Sequence, residues 1–210
     1  MREEQSNKAF VYGRVCRKPS YSHASKNTNY YLLGLECIRM SGAKDQMNVI
    51  FAEDVANYRE INEGDVIAVC GRVKTFNMQT GEKIKLIIRV EAFSIAKNVP
   101  YLSGENHANN NLFIDGFVCK EPWYRTTPKG KHICNLLIAV NDSDGTSYIP
   151  CLAWGGAAKR ARRLEVGARL QIDGSMQSRS YTKNLENGEM EQKVSFEVSI
   201  YRFTEVENEN

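Results

Sequence analysis

Tyr148 and Trp154 bracket the run YIPCLAW, and two glycines lead from it into KRARR, which carries Lys159, Arg160, Arg162 and Arg163. Aromatic rings set beside fixed positive charge suit a ligand that is flat and anionic. The rings offer faces for stacking and the cations neutralise phosphate. A plainer reading stands beside this one: a tryptophan ending a strand packs into a core, and a basic helix face is simply solvated. Other chemistries have less to build on. His23, His107 and His132 have no Cys, Asp or Glu at ligand spacing. NDSDG at 141–145 begins like a calcium loop but no glutamate follows at the twelfth position, so it reads as a hairpin turn. No phosphate-cradling glycine loop is present in the sequence. The chain therefore reads as a non-enzyme that needs no cofactor and no metal.

The totals are permissive. A net charge of +3 over 210 residues does not by itself demand an anionic partner. The polar start MREEQSNK is not a secretory signal, and no apolar run approaches the ~18 residues that span a bilayer. Cys16, Cys37, Cys70, Cys119, Cys134 and Cys151 form no C-x-x-C pair and each sits in an apolar run, which predicts buried thiols in strands and suits a reducing cytoplasm.

The elements that must position the aromatics come in two copies. NKAFVYGRVCRKPSY laid over NNLFIDGFVCKEPWY pairs Phe10 with Phe113, Gly13 with Gly116, Cys16 with Cys119 and Tyr21 with Tyr124, always 103 apart. The same offset pairs Phe51 with Trp154, Tyr148 with Asp45, Gly64 with Gly167 and Gly71 with Gly174. The join, rich in Asn, Gly and Pro, reads as a linker. We read a first domain over 1–98, a linker over 99–110, a second domain over 111–204 and a short acidic tail over 205–210. Strand patterning predicts first-copy strands at 8–18, 29–39, 46–52, 65–77 and 83–95, with a helix at 53–61. In the second copy Ala158, Ala161 and Leu164 recur three apart, which predicts a helix between its third and fourth strands. The fold class expected is all-β: two tandem OB-folds, five-stranded Greek-key barrels, each with one helix between strands 3 and 4. That barrel binds oligonucleotides or oligosaccharides on one face.

At this point the second copy resembles the bacterial single-stranded DNA-binding proteins. The resemblance rests on Glu121-Pro122, Tyr148, Trp154-Gly155, Leu164 with Gly167, and Ile172-x-Gly174-x-Met176-x-x-Arg179-x-Tyr181. It covers about 95 residues and is specific in combination; the first copy matches more weakly. It implies base stacking at Tyr148, Trp154 and Tyr181. Trp123 and Tyr124 either stack on a base or cap the barrel, and the first copy offers Phe51 and Phe76 as its platforms. Phosphate candidates on strands and hairpins are Arg125, Lys129, Lys131, Arg179 and Lys183 in the second copy. In the first they are Arg14, Arg17, Lys18, Arg72, Lys74, Lys83 and Lys85. The basic helix raises the local potential rather than gripping the backbone.

What the resemblance implies is non-catalytic, sequence-tolerant binding of single-stranded DNA in replication, recombination or repair. Three departures qualify it. The chain closes on FTEVENEN without the Pro-Phe tip that recruits replication and repair enzymes, Lys159 stands where the family commonly has Glu, and the domain is duplicated. Family members with two OB-folds per chain form dimers, so a homodimer presenting four OB-folds is expected. Two other readings stay open: a primosome or mobile-element assembly module whose main partner is another protein, and an RNA or oligosaccharide binder on the same fold.

Overall fold

The computed structural model describes residues 6–39, 41–81, 83–99, 109–184 and 190–207. Alternating apolar residues drive the chain into strands. In the first half these are β1 (Asn7–Ser25), β2 (Thr28–Ile38), β3 (Lys44–Ala52), β4 (Val66–Thr80) and β5 (Lys83–Lys97). The second half holds β6 (Asn110–Val118), β7 (Trp123–Thr126), β8 (His132–Asp142), β9 (Gly145–Trp154), β10 (Arg169–Asn184) and β11 (Met190–Val206). A helix, α1 (Gly155–Ala161), follows β9.

The fold is all-β with closed, OB-like five-strand pairing. In the first half β1 pairs with β2, β2 with β3, β3 with β5, β5 with β4, and β4 returns to β1. In the second half β6, β8, β9, β11 and β10 close in the same way, and β7 adds an edge to β8. Inward residues such as Leu33, Val49, Ile67 and Val90, or Ile138, Ile149, Leu170 and Val198, are fully buried. Gly71 and Gly174, paired by the repeat, sit at bulges in β4 and β10. A Cβ on Gly71 would lie 2.1 Å from the Glu91 carbonyl oxygen, and one on Gly174 would lie 2.5 Å from that of Ser199.

The duplication reaches into single hydrogen bonds. Asn7 Nδ2 donates to the Val73 carbonyl at 2.8 Å while its Oδ1 accepts from the Val73 N–H at 2.9 Å. Asn110 does the same to Met176 at 2.7 and 3.0 Å. The halves join where β1 pairs antiparallel with β6, from Asn7 opposite Ile114 to Val11 opposite Asn110. On either side of this seam, Tyr148 N–H donates to Thr75 Oγ1 at 2.9 Å and Gln46 N–H donates to Ser178 Oγ at 3.3 Å. Repeated contacts of this kind relate the halves by an approximate twofold axis. Asp45, buried, accepts from Ser178 N–H at 2.7 Å and pairs with Arg39 at 2.5 Å.

Several expectations are corrected. The helix expected at 53–61 is a single 3-10 turn over Tyr58–Glu60, so the first half does not repeat the helix of the second. Asn57 has extended backbone, φ −72° and ψ 104°, so no helix runs through it; its side chain caps the turn instead, accepting from Arg59 N–H at 3.2 Å and donating to Glu60 at 2.8 Å. In the second half α1 stops at Ala161, short of the Leu164 its period suggested. Ala158, Ala161 and Leu164 are buried as their spacing predicts. The offset of 103 fails within β3 and β9. Tyr30 faces Ala52 where Ile133 faces Trp154, so Trp154 corresponds to Ala52, and Tyr148 corresponds to Gln46 rather than Asp45. Between equivalent pairs, Ile38 with Lys44 and Asn141 with Thr146, the first connection is one residue longer than the second. Among the cysteines, Cys37, Cys134 and Cys151 are buried, Cys16 and Cys119 are half-buried, and Cys70 is exposed. The last lies on the outer face of β4, opposite Phe10. The linker falls almost wholly outside the described residues.

Candidate nucleic-acid interface

Side chains on adjacent strands share a face when they stand opposite one another. Across β7, β8 and β9 one outward row reads Arg125, Ile133, Trp154, and the next reads Trp123, Asn135, Leu152. Further along, Ala139 stands opposite Tyr148 on the same face. The register therefore gathers Trp123, Arg125, Trp154 and Tyr148 on one surface. Their rings are available: Trp123 is 61% exposed, Tyr148 48% and Trp154 43%. Ile133 and Leu152, on the same face, stay buried. The period of two also separates Trp123 from Tyr124. Tyr124 turns inward, packs against the core and bonds His132 Nδ1 through its hydroxyl at 2.7 Å, so it pins β7 to β8. Only Trp123 of the two faces out.

Charge is set directly against these rings. The Arg125 guanidinium lies 4.7 Å over the Trp123 ring. Its Nε is buried and, among the described residues, has no hydrogen-bond partner; the same holds for Asn135 Nδ2 one row away. Buried donors left unpaired are costly, and they mark places where a ligand acceptor would be stabilised. Lys129 and Lys131 are exposed in the turn that joins β7 to β8, and Arg179 is exposed on β10. Of the basic helix, Arg160 is engaged internally, donating to the Phe203 carbonyl at 2.8 Å, and Arg162 lies 5.3 Å over Tyr124. The side chains of Tyr181, Lys183 and Lys83 lie outside the described residues.

The first half presents a different surface. Phe51 is fully buried, within a cluster where Tyr31 stacks on Tyr58 at 3.9 Å, so it has no face to offer; the one-residue slip of β3 turns it inward. Gln46 and Ala52 occupy the places of Tyr148 and Trp154. In the place of Arg125 and Ile133 stand His23 and Tyr30, stacked at 4.9 Å, a pair the sequence reading missed because it ended the first strand at residue 18. The run YSHAS, alternating after Pro19, is the signal that β1 continues. Phe76 is 37% exposed on β4, under the guanidinium of Arg89 at 4.4 Å.

Two phosphate candidates are removed from the list by their partners. Arg72 pairs with Glu91 at 2.7 Å and with Asp144 at 3.0 Å. Lys74 pairs with Asp142 and Asp144, both at 2.8 Å. These side chains tie β4 to the β8–β9 hairpin across the seam. Burial works against the Asp144 charge, but the hydrogen bond from Lys74 and the charges of Arg72 and Lys74 hold its carboxyl below the usual carboxylate range. Arg17 donates to Asn48 at 2.7 Å and Arg14 to the Gly64 carbonyl at 2.7 Å; both remain exposed, as do Lys18 and Lys85.

The chain is similar in sequence and in fold to known proteins. A family model described as the single-strand binding protein family matches residues 109–204. A single-stranded DNA-binding protein of Onion yellows phytoplasma is 30% identical over 92 residues, covering 43% of this chain and 85% of that protein. One from Halalkalibacterium halodurans is 31% identical over 83 residues, and the aligned part is 36% of this chain and about half, 49%, of that protein. Among solved structures, the wild-type single-stranded DNA binding protein from Thermus aquaticus superposes with a TM-score of 0.77 at 20% identity, over 97% of this chain and 94% of that one. This last likeness is one of fold.

Proposed function

The chain belongs to the single-strand binding protein family, and on that premise we propose that it binds single-stranded DNA without catalysis and with little regard to sequence, in replication, recombination or repair. The observation that carries the reading is the outward surface of β7, β8 and β9, where Trp123, Trp154 and Tyr148 share a face with Arg125. Bases stack on the rings, and Arg125, Lys129, Lys131 and Arg179 neutralise phosphates nearby. The two closed rings of strand pairing support a tandem OB-fold form. Its second barrel, richer in exposed rings, is the tighter site, and the first, through Arg14, Arg17, Lys18, Lys83 and Lys85, adds charge. The working unit is a homodimer in the cytoplasm. Phe10 and Phe93, exposed on β1 and β5 where they line one cleft, support burial against a second copy.

Titration with oligodeoxythymidine, followed by tryptophan fluorescence beside a duplex control, tests the reading. Quenching by the single strand alone, with affinity falling as salt rises, is the expected result. A duplex that binds equally well, or no quenching at low salt, refutes it. Sedimentation at micromolar concentration checks the dimer, and the mass of a single chain rejects it.

A further inference from the structure

The outward surface of β7, β8 and β9 holds one polar side chain that neither stacking nor phosphate binding explains. Asn135 stands opposite Trp123 on β7 and Leu152 on β9, and Ile133 and Leu137 flank it on the same face of β8. These four neighbours are aromatic or aliphatic. The Asn135 amide nitrogen is buried and, among the described residues, donates to no acceptor. A buried donor left unpaired costs stability.

The fold does not ask for an amide at this place. In the first half Leu32 faces Ser20 on β1 and Ile50 on β3, just as Asn135 faces Trp123 and Leu152. Leu32 is therefore the counterpart of Asn135, and Ser20 that of Trp123. The half without the ring carries an aliphatic side chain here, and the half with the ring carries an unpaired donor. Side chains directly opposite one another have Cβ atoms about 5 Å apart, so a base stacked on Trp123 brings its edge within reach of Asn135. Trp123 is mostly exposed, and its ring can turn to admit that edge. One row away Arg125 Nε is also buried and unpaired, so both spare groups on this surface are donors. They suit a base edge that accepts. Thymine and cytosine carry carbonyl oxygens, which project from the ring and accept over a broad range of angles. Adenine has no carbonyl, and its amino group sets another donor beside its ring nitrogens.

We propose that Asn135 reads the edge of the base stacked on Trp123, donating its amide N–H to a pyrimidine carbonyl, so that the second half favours pyrimidine strands over adenine strands. The proposal rests on the reading above and names the class of base that this surface prefers. Preferences among single-strand binders ordinarily come from stacking strength and backbone flexibility. Here a hydrogen bond to the base edge adds to them.

The test uses the full chain and three strands of about 8 nucleotides, matching one OB-fold site: oligodeoxythymidine, oligodeoxycytidine and oligodeoxyadenosine. Asn135→Leu places the first-half residue in the second half. It is expected to melt no lower than the parent, since it removes an unpaired buried donor. It is expected to weaken the thymidine and cytidine strands about fivefold, with the adenosine strand unchanged. The slope of log affinity against log salt stays as in the parent, because no phosphate contact is lost. Self-stacking of the adenosine strand is the same for both proteins and cancels in the comparison. Should that variant fold poorly by circular dichroism, Asn135→Ala is read in the same way. The inference is overturned if all three strands weaken equally, if none changes, or if the adenosine strand loses most. A parent that binds the strands while the variant keeps the same order of affinities overturns the edge contact alone. A parent that binds none of the three overturns the underlying reading as well.

Discussion

Replacing Trp154 by Ala isolates stacking from charge. Trp154 ends β9 with extended backbone, φ −120° and ψ 151°, and its side chain makes no capping hydrogen bond to α1, so alanine can adopt the same conformation. The ring is 43% exposed, and the buried neighbour on its face is Ile133. Truncation therefore gives up the buried half of the ring and uncovers part of one aliphatic side chain, a cost of about 2–3 kcal/mol in stability. The cost in binding is read separately on the folded variant, because a stacking platform is worth roughly 1–3 kcal/mol per base. At about 1.4 kcal/mol per tenfold, that is a rise in Kd of about 5- to 150-fold. No phosphate contact is removed, so the slope of log affinity against log salt stays as in the parent. Fluorescence anisotropy of a labelled oligodeoxythymidine at four or more salt concentrations reads both quantities, and Trp154→Phe, which keeps a ring, should recover most of the loss. An unchanged Kd, or a loss that arrives as a flattened salt slope with the stacking term intact, would refute the reasoning.

Lys74→Ala behaves in the opposite way: it leaves the carboxylate of Asp142, only 8% exposed, short of its nearest cation and lowers stability by about 2 kcal/mol, with the DNA salt slope unchanged. The stability the Asp144 pair contributes is present above the ordinary carboxylate pKa of about 4 and is lost as pH falls below it, so the Lys74→Ala penalty in a urea melt shrinks toward zero by acid pH. Asn7→Ala and Asn110→Ala each strip two hydrogen bonds from a neighbouring strand and should each cost about 2–3 kcal/mol by thermal melting, with a much smaller loss at either contradicting the paired clamp. Thiol titration of the native chain should modify Cys70 first, while Cys37, whose thiol burial pushes up to about 12, and Cys151, pushed up further by the same cause, stay unmodified at neutral pH; early labelling of Cys151 would contradict the packing.

How much of this is legible in the sequence depends on the residue. The duplication was legible because its markers are residues the backbone itself demands: Gly71 and Gly174 at their bulges, and Asn7 and Asn110 at their clamps. The resemblance singled out Tyr148 and Trp154, but Trp123 stayed level with Tyr124 because residues 123–126 were not read as a strand, and only the alternation along β7 separates the two. The register of β3 against β9 was not, because one extra residue in the β2–β3 connection flips every following side chain, and Phe51 went inward with it. Lys74 looked like a phosphate ligand because its acidic partners lie some 70 positions away and meet it only across the seam; Arg72 shares Asp144 there and is also held by Glu91 on the adjacent strand, a pairing that depends on register. Arg89 was overlooked for the complementary reason: nothing in the sequence says that a strand arginine will be half-buried over a phenylalanine. The first-half helix is missing because Asn57 takes extended backbone and caps a turn that begins only at Tyr58, which the apolar period of Val55, Tyr58 and Ile61 does not show.

The central claim is that single-stranded DNA lies on the outward face of β7, β8 and β9. Photocrosslinking a strand that carries 5-iododeoxyuridine, followed by peptide mass spectrometry, tests it most directly. The account predicts crosslinks at Trp123, Tyr148 and Trp154. Crosslinks confined to Phe10 and Phe93, on β1 and β5, would contradict it.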